Sequence, residues 1–341
     1  MKFIRAMRHR NLLRHGIAGA ALALFAAQCA NAETREVRIA QQYGFSYLQL
    51  MYMEKHKLLE AQARAAGLGE IKVTWAQFGG GNAMNDALLS GSLDFASGGV
   101  APPIVLWSKT VGGLGVRMVA AMTSAPLLLN TNNPGIRSLK DFTDKDKIAL
   151  PAVKVSNQAT ILAMAAAQQL GKENALSLNR LTVSMSHPDG MAALLNGQVA
   201  AHFTAPPYQG QELRDPRVHT ILNSFDVMGG PLTFTVVWAT SKFRNENPGV
   251  YAAFVAALRQ ATEMVNRDKR AAAEFYVAET RSREPVDEVY RMIADPAVQF
   301  TLTPMQIGRY AAFMYDSELI KLKPNSWKDL FFDNAHSLPG S

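Results

Sequence analysis

Alternation of apolar and polar residues marks a first strand at Glu36 to Ile39, where Val37 and Ile39 face one way. A second strand is expected over Ile71 to Phe78, with Ile71, Val73 and Trp75 on one face. Between them, Leu48 to Ala66 has helical spacing and closes at Gly67. The second strand runs into Gly79-Gly80-Gly81. A short helix is predicted from Asn82, a residue type that caps free N–H groups, with Ala83, Ala87 and Leu88 as its apolar stripe and Gly91 as its C-terminal cap. Leu93, Phe95 and Ala96 then make a strand that Ser97-Gly98-Gly99 ends. Ile104 to Lys109 reads as helix, Val116 to Met122 as a buried strand, and Leu127 to Leu129 as an extended continuation.

The second half repeats this order. Ala192 to Phe203 aligns with Asp86 to Ser97, each giving helix, glycine cap, polar residue, aliphatic and aromatic in turn. Before that repeat come a polar turn at Asn130 to Gly135, a capping-box spacing at Ser138 to Asp141, and a strand at Lys147 to Pro151. The loop Ala152 to Asn157 leads into a helix that ends at Leu170, and Leu181 to Met185 is a further strand. His187-Pro188-Asp189 opens the repeat helix, with Pro188 suited to its first position. Leu232 to Thr240 alternates strongly and reads as a strand returning to the first half. Helices follow from Asn247-Pro248 and, with capping-box spacing, from Thr303-Pro304-Met305-Gln306.

Strands alternating with helices predict an α/β protein of two lobes, each a mainly parallel sheet flanked by helices. Two crossovers, near Leu127 to Asn130 and Gly230 to Leu232, predict a two-strand hinge that can open and close. Lobe 1 is then residues 33–127 plus 232–341, and lobe 2 is 128–231. Ligands of such sheets sit at the C-terminal strand ends, where the glycine loops fall.

Charge changes the picture only at the N-terminus. The formal net charge of the 341 residues is +7, but Lys2, Arg5, Arg8, Arg10 and Arg14 all precede the first acidic residue, Glu33. Residues 33–341 carry 30 basic and 28 acidic side chains, which removes any argument from bulk charge for nucleic-acid binding. The basic start, the apolar run Ile17 to Ala27 and the small-x-small site Ala30-Asn31-Ala32 have the layout of a secretory signal over 1–32, cleaved after Ala32. That run is half of the ~20 residues a membrane span needs. Cys29, the one cysteine, lies before the cleavage site, so the exported chain has no thiol for disulfides, nucleophilic catalysis or metal binding. A periplasmic protein is expected.

No nucleophile elbow, zincin pair, P-loop or EF-hand loop is present, and His56, His187, His202, His219 and His336 lack metal-ligand spacing. A binder without catalytic residues, metal or cofactor is therefore expected. The mouth loop Gln41 to Tyr47 offers two amides, three aromatics and a hydroxyl, making Gln42 and Tyr43 candidates for contact with a ligand. Lys154 is the one cation on a mouth loop and His187 the one histidine; each is either a ligand contact or a solvated loop residue. Glycine loops bring backbone N–H groups close to a guest, and helix N-termini favour anions. Hydrogen bonds to a charged partner contribute about 1.5–3 kcal/mol each, so several reach the roughly 8 kcal/mol of micromolar binding without an arginine. A small anionic or strongly polar organic solute fits.

The order of Ala87 to Asp94, Gly98-Gly99, Pro102-Pro103, Gly135 to Phe142, Lys147 to Ala149 and Ala193 to Val199 resembles the periplasmic solute-binding proteins of the nitrate, taurine and alkanesulfonate class of ABC importers. The resemblance spans Val37 to about Phe332. It implies the type II periplasmic-binding-protein fold and delivery of a sulfonate, nitrate or related solute by a monomer to a membrane permease driven by an ATPase. By position it implies ligand contacts at Phe45 and Ser46, at Gly80, Gly81 and Asn82, and at Ser97, Gly98 and Gly99. Lobe 2 adds Ser156, Asn157 and Thr204, although the loop Lys154 to Gln158 departs from the glycine-serine common there. The cysteine-rich motif of a relative that makes the thiamin pyrimidine is absent. A receptor for a membrane sensor and an exported small-metabolite enzyme are the alternatives.

Overall fold

A computed structural model describes residues 33–341, and the secretory signal expected over 1–32 lies outside them. In the first sheet, β1 (Glu36–Gln41) pairs in parallel with β2 (Lys72–Gln77), and a bridge from Ile39 to Phe95 joins it to β3 (Ala96–Gly99). Next come β10 (Thr233–Thr240), β4 (Val116–Ser124) and β11 (Gln299–Phe300). The second sheet has the order β7 (Thr182–Ser184), β6 (Ile148–Leu150), β8 (Ala201–Phe203), β5 (Leu128–Thr131), β9 (His219–Asn223). Within each lobe the strands run mainly in one direction, with the short β11 at the edge of the first sheet antiparallel to β4. The strand that arrives from the other lobe, β10 in the first and β5 in the second, lies antiparallel to both neighbours. This is the two-lobed α/β fold that the alternating pattern predicts.

Helices close both faces. In lobe 1 they are α1 (Leu48–His56), α2 (Leu58–Ala65), α3 (Gly81–Leu89) and α4 (Ala101–Thr110). Lobe 2 carries α5 (Asn157–Leu170), α6 (His187–Leu195) and the short α7 (Tyr208–Glu212) and α8 (Ser224–Met228). After β10 come α9 (Ser241–Glu246), α10 (Pro248–Arg267), α11 (Lys269–Thr280), α12 (Val286–Ala294) and α13 (Ile307–Asp316). Helix α10 packs its Val250, Phe254, Leu258 and Val265 face on α1 and α2, with Phe254 stacked on Phe95 at 3.8 Å. Its first turn is held by the Glu33 carboxylate, which accepts from the Gly249 and Val250 N–H groups.

Several local expectations are corrected. Leu48 to Ala66 is two helices, because Lys57 takes a left-handed φ of 50°. Helix α3 starts at Gly81, with Gly80 at the cap position and no side-chain cap. Asn82 and Ala83 point to solvent, while Met84, Asn85 and Leu88 face inward. Asn130 and Thr131, expected in a polar turn, complete β5 and are fully buried. They are tolerated there because Asn130 donates to Glu212 and Thr131 to the Ala200 carbonyl. The Thr303 capping box does not form; Gln306 precedes α13 with a left-handed φ of 57° and no side-chain cap. The box at Ser138 does form, with Asp141 returning to the Ser138 N–H.

Candidate ligand-binding site

Where the lobes meet, the loops after β1 and β3 face the loops after β6 and β7. Between them is a cavity of about 10 Å³ lined by Gln42, Tyr47, Gly81, Gly99 and Pro102 from one lobe and Pro151, Ser156, Asn157, Gln158 and His187 from the other, with Phe234 of β10 at its side. That volume holds about one water molecule, so an organic solute enters only when the walls move apart.

Glycine makes the approach possible. A Cβ on Gly80 would stand 2.4 Å from the Pro151 carbonyl oxygen across the cleft, and one on Gly99 would stand 2.7 Å from the Asn157 Oδ1. Asn157 joins the lobes directly. Its Oδ1 accepts from the Ala101 N–H at 2.9 Å and its Nδ2 donates to the Phe234 carbonyl at 2.9 Å.

The lining places the first turns of α3, α4, α5 and α6 on this one cavity, through Gly81, Pro102, Ser156 to Gln158, and His187. Helix α3 carries no side-chain cap, so its first-turn N–H groups are free to meet a guest, whereas in α4 the Ala101 N–H is taken by Asn157 and Pro102 and Pro103 have none, so that end contributes only its dipole. Ser156 and Ser186 cap α5 and α6, accepting from the Ala159 and Asp189 N–H groups. Each N-terminus carries roughly half a positive charge, and no charged side chain is among the lining residues. The Gln158 Nε2, 2 % exposed as a residue, has no hydrogen-bond partner among the described residues. The site thus supplies positive potential and unpaired donors without a cation. It is built for a compact acceptor.

His187 is held from behind. Its Nδ1 lies 2.7 Å from the Thr204 Oγ1, and its ring stacks on Tyr208 at 5.8 Å. Burial, with His202 nearby, pushes its pKa down to about 3, so the ring is neutral at physiological pH. Behind it His202 Nδ1 bonds the Glu212 carboxylate at 2.5 Å, and both side chains are fully buried.

The residues singled out in the sequence divide. Gln42, Gly81, Gly99, Ser156, Asn157 and His187 are brought together on the cavity, and Gly80 sits at the cleft against Pro151. Thr204 lies behind His187 rather than on the cavity. Phe45 is a core residue, edge-on to Tyr276 at 6.1 Å. Ser46 is buried with its carbonyl accepting from Thr123 and Thr235. The Ser97 hydroxyl donates to the Ala40 carbonyl, and Gly98 packs against Gln42 and Trp238. Asn82 and Lys154 are exposed and off the lining, and Tyr43 lines a neighbouring chamber. Sequence reasoning missed Tyr47, Pro151, Gln158 and Phe234. Tyr47 and Gln158 fall within the loops Gln41 to Tyr47 and Lys154 to Gln158 and Pro151 ends a predicted strand, but nothing in the sequence singles them out from their neighbours. Among the described residues no group of His, Cys, Asp or Glu is placed to hold a metal ion, and no helix is long and apolar enough to cross a membrane.

A family model described as the NMT1-like family matches residues 30–279. The chain belongs to the NMT1-like family. In sequence this member is 26% identical, over 218 residues, to a protein of Escherichia coli (strain K12) named for aliphatic sulfonate binding; the match covers 64% of each, just under two thirds of that relative. In structure it is similar to the alkanesulfonate-binding protein SsuA of Xanthomonas axonopodis pv. citri bound to MOPS. That match has a TM-score of 0.69 and 19% identity, covering 88% of this chain and 99% of that one. It is similar as well to the periplasmic nitrate-binding protein NrtA of Synechocystis PCC 6803, with a TM-score of 0.67, 12% identity, and coverage of 89% and 88%. These likenesses establish the periplasmic-binding-protein fold.

Proposed function

We propose that this NMT1-like protein is the solute-binding component of an ABC importer. It captures a small organic anion, a sulfonate or similar oxyanion, between its lobes and delivers it to a membrane permease and its ATPase. Lobe 1 comprises residues 33–127 and 232–341 and lobe 2 residues 128–231, with the cavity between them. The carrying observation is the convergence of four helix N-termini and the unpaired Gln158 donor on one cavity without a charged side chain. That arrangement holds an anion through dipoles and fixed donors, which favour a tetrahedral or trigonal oxyanion over a bare cation. The leader layout and the sulfonate- and nitrate-binding relatives support capture in the periplasm, by binding rather than catalysis.

Thermal unfolding against a panel of sulfonates, carboxylates, nitrate and pyrimidines tests this. A solute at a hundredfold excess over its Kd adds about 2.7 kcal/mol, which raises the Tm by several degrees. The reading expects such a rise with at least one sulfonate or oxyanion. No shift with any member of the panel contradicts it.

A further inference from the structure

Beside the closed cavity, and sharing Gln42 with it, lies a chamber of about 560 Å³. Both lobes build it: Tyr208 comes from α7, and Tyr43, Glu54 and Tyr276 come from lobe 1. A space of this size accommodates a bulky group, not a lone atom. Its charges do not balance. Lys55 stands 2.6 Å from Glu279, and that pair neutralises itself. Glu54 forms no salt bridge among the described residues; the Gln41 side-chain amide reaches it at 3.3 Å. Glu54 is an exposed residue on the chamber wall, and the partial covering of its carboxyl, then repulsion from Glu279, raises its pKa above the usual range. The Gln41 Oε1 is a buried acceptor without a partner. None of the three tyrosine rings carries a cation from the described residues, although an aromatic face attracts one.

Cavity and chamber therefore ask for opposite charges on a single guest. We propose that the solute is a zwitterion, with its anionic head on the helix N-termini and a bulky alkylated ammonium group in the chamber against Glu54 and Tyr208. This rests on the anion-capture reading above and adds the chemistry of the solute's other end. Glu54 and Tyr208 become specificity-determining residues. Because they belong to different lobes, the cationic group also draws the lobes together.

The test compares a trimethylammonium propanesulfonate with its uncharged carbon isostere, in which a tert-butyl group replaces the trimethylammonium. The two share shape and sulfonate and differ by one charge. Intrinsic-fluorescence titration of the purified protein is expected to give a Kd at least ~10-fold lower for the zwitterion. In Glu54→Gln that preference is expected to fall to within roughly threefold, with binding of the isostere unchanged. Equal or tighter binding of the isostere by the unaltered protein overturns the inference and leaves anion capture standing. Failure of both probes to bind removes the two readings together. A preference that survives Glu54→Gln removes the role given to Glu54.

Discussion

Gly80, Gln158 and His187 carry the argument at the scale of single residues. Gly80 has an extended φ of −171°, so its backbone suits any residue; what excludes a side chain is the Pro151 carbonyl. Gly80→Ala is therefore expected to hold the lobes apart, weakening solute binding by about tenfold or more while leaving the Tm of the solute-free protein within a few degrees. Calorimetric titration beside a melting curve checks both halves. Gln158 contributes a donor with no other use, and Gln158→Ala is expected to weaken an oxyanion by roughly tenfold or more, the worth of one hydrogen bond to a charged group. An unchanged Kd would show that the donor does not meet the solute. His187 gives a pH signature. Its folded pKa, about 3, lies below the ordinary 6.5, so as pH falls the unfolded chain takes the proton first. Stability present above pH 6.5 is lost on the way down toward pH 3, at up to about 1.4 kcal/mol per pH unit from this group. His187→Gln should flatten that part of the stability profile. A variant that keeps the full slope would place the titration elsewhere.

The elements explain why those residues meet. Helices α3 and α4 start directly after strand-terminal loops of lobe 1, and α5 and α6 do the same in lobe 2, so closing the lobes brings four N-termini to one point. That much is legible in the sequence, because hydrophobic periodicity and glycine loops locate strand ends. The N-cap geometry is not: Asn82 is a good capping residue by type, yet the helix begins one residue earlier, at Gly81, with Gly80 at the cap position, where side chains would run into Pro102 and Pro151 respectively. Nor could the sequence show what Asn157 does. Its partners, Ala101 and Phe234, are 56 and 77 residues away, and only the folded cleft joins them. Asn157→Ala removes both inter-lobe hydrogen bonds and is expected to shift the solute-free protein toward an open form. Small-angle scattering would report a larger radius of gyration. No change would mean that other contacts hold the cleft shut.

For the whole molecule, the repeat at Asp86 to Ser97 and Ala192 to Phe203 announces two related lobes, and the sheets bear it out, each receiving one antiparallel strand from the other half. The order of the strands within each sheet was hidden, since it depends on pairings between β10 and β4 or β5 and β9 that no local pattern records. Aromatics at the mouth were the least legible, because Phe45 in the core and Tyr43 on a chamber wall read alike in a loop. Capture of an oxyanion where the four helices meet is the claim on which the rest depends. Calorimetric titration of the protein and of Gly81→Asp with an alkanesulfonate tests it most directly, since a side chain at position 81 would collide with Pro102 and place a negative charge at the α3 N-terminus. Saturable one-to-one binding near the micromolar range, weakened by more than ~10-fold in the variant, is the predicted result; absence of binding, or equal affinity in the two proteins, would contradict it.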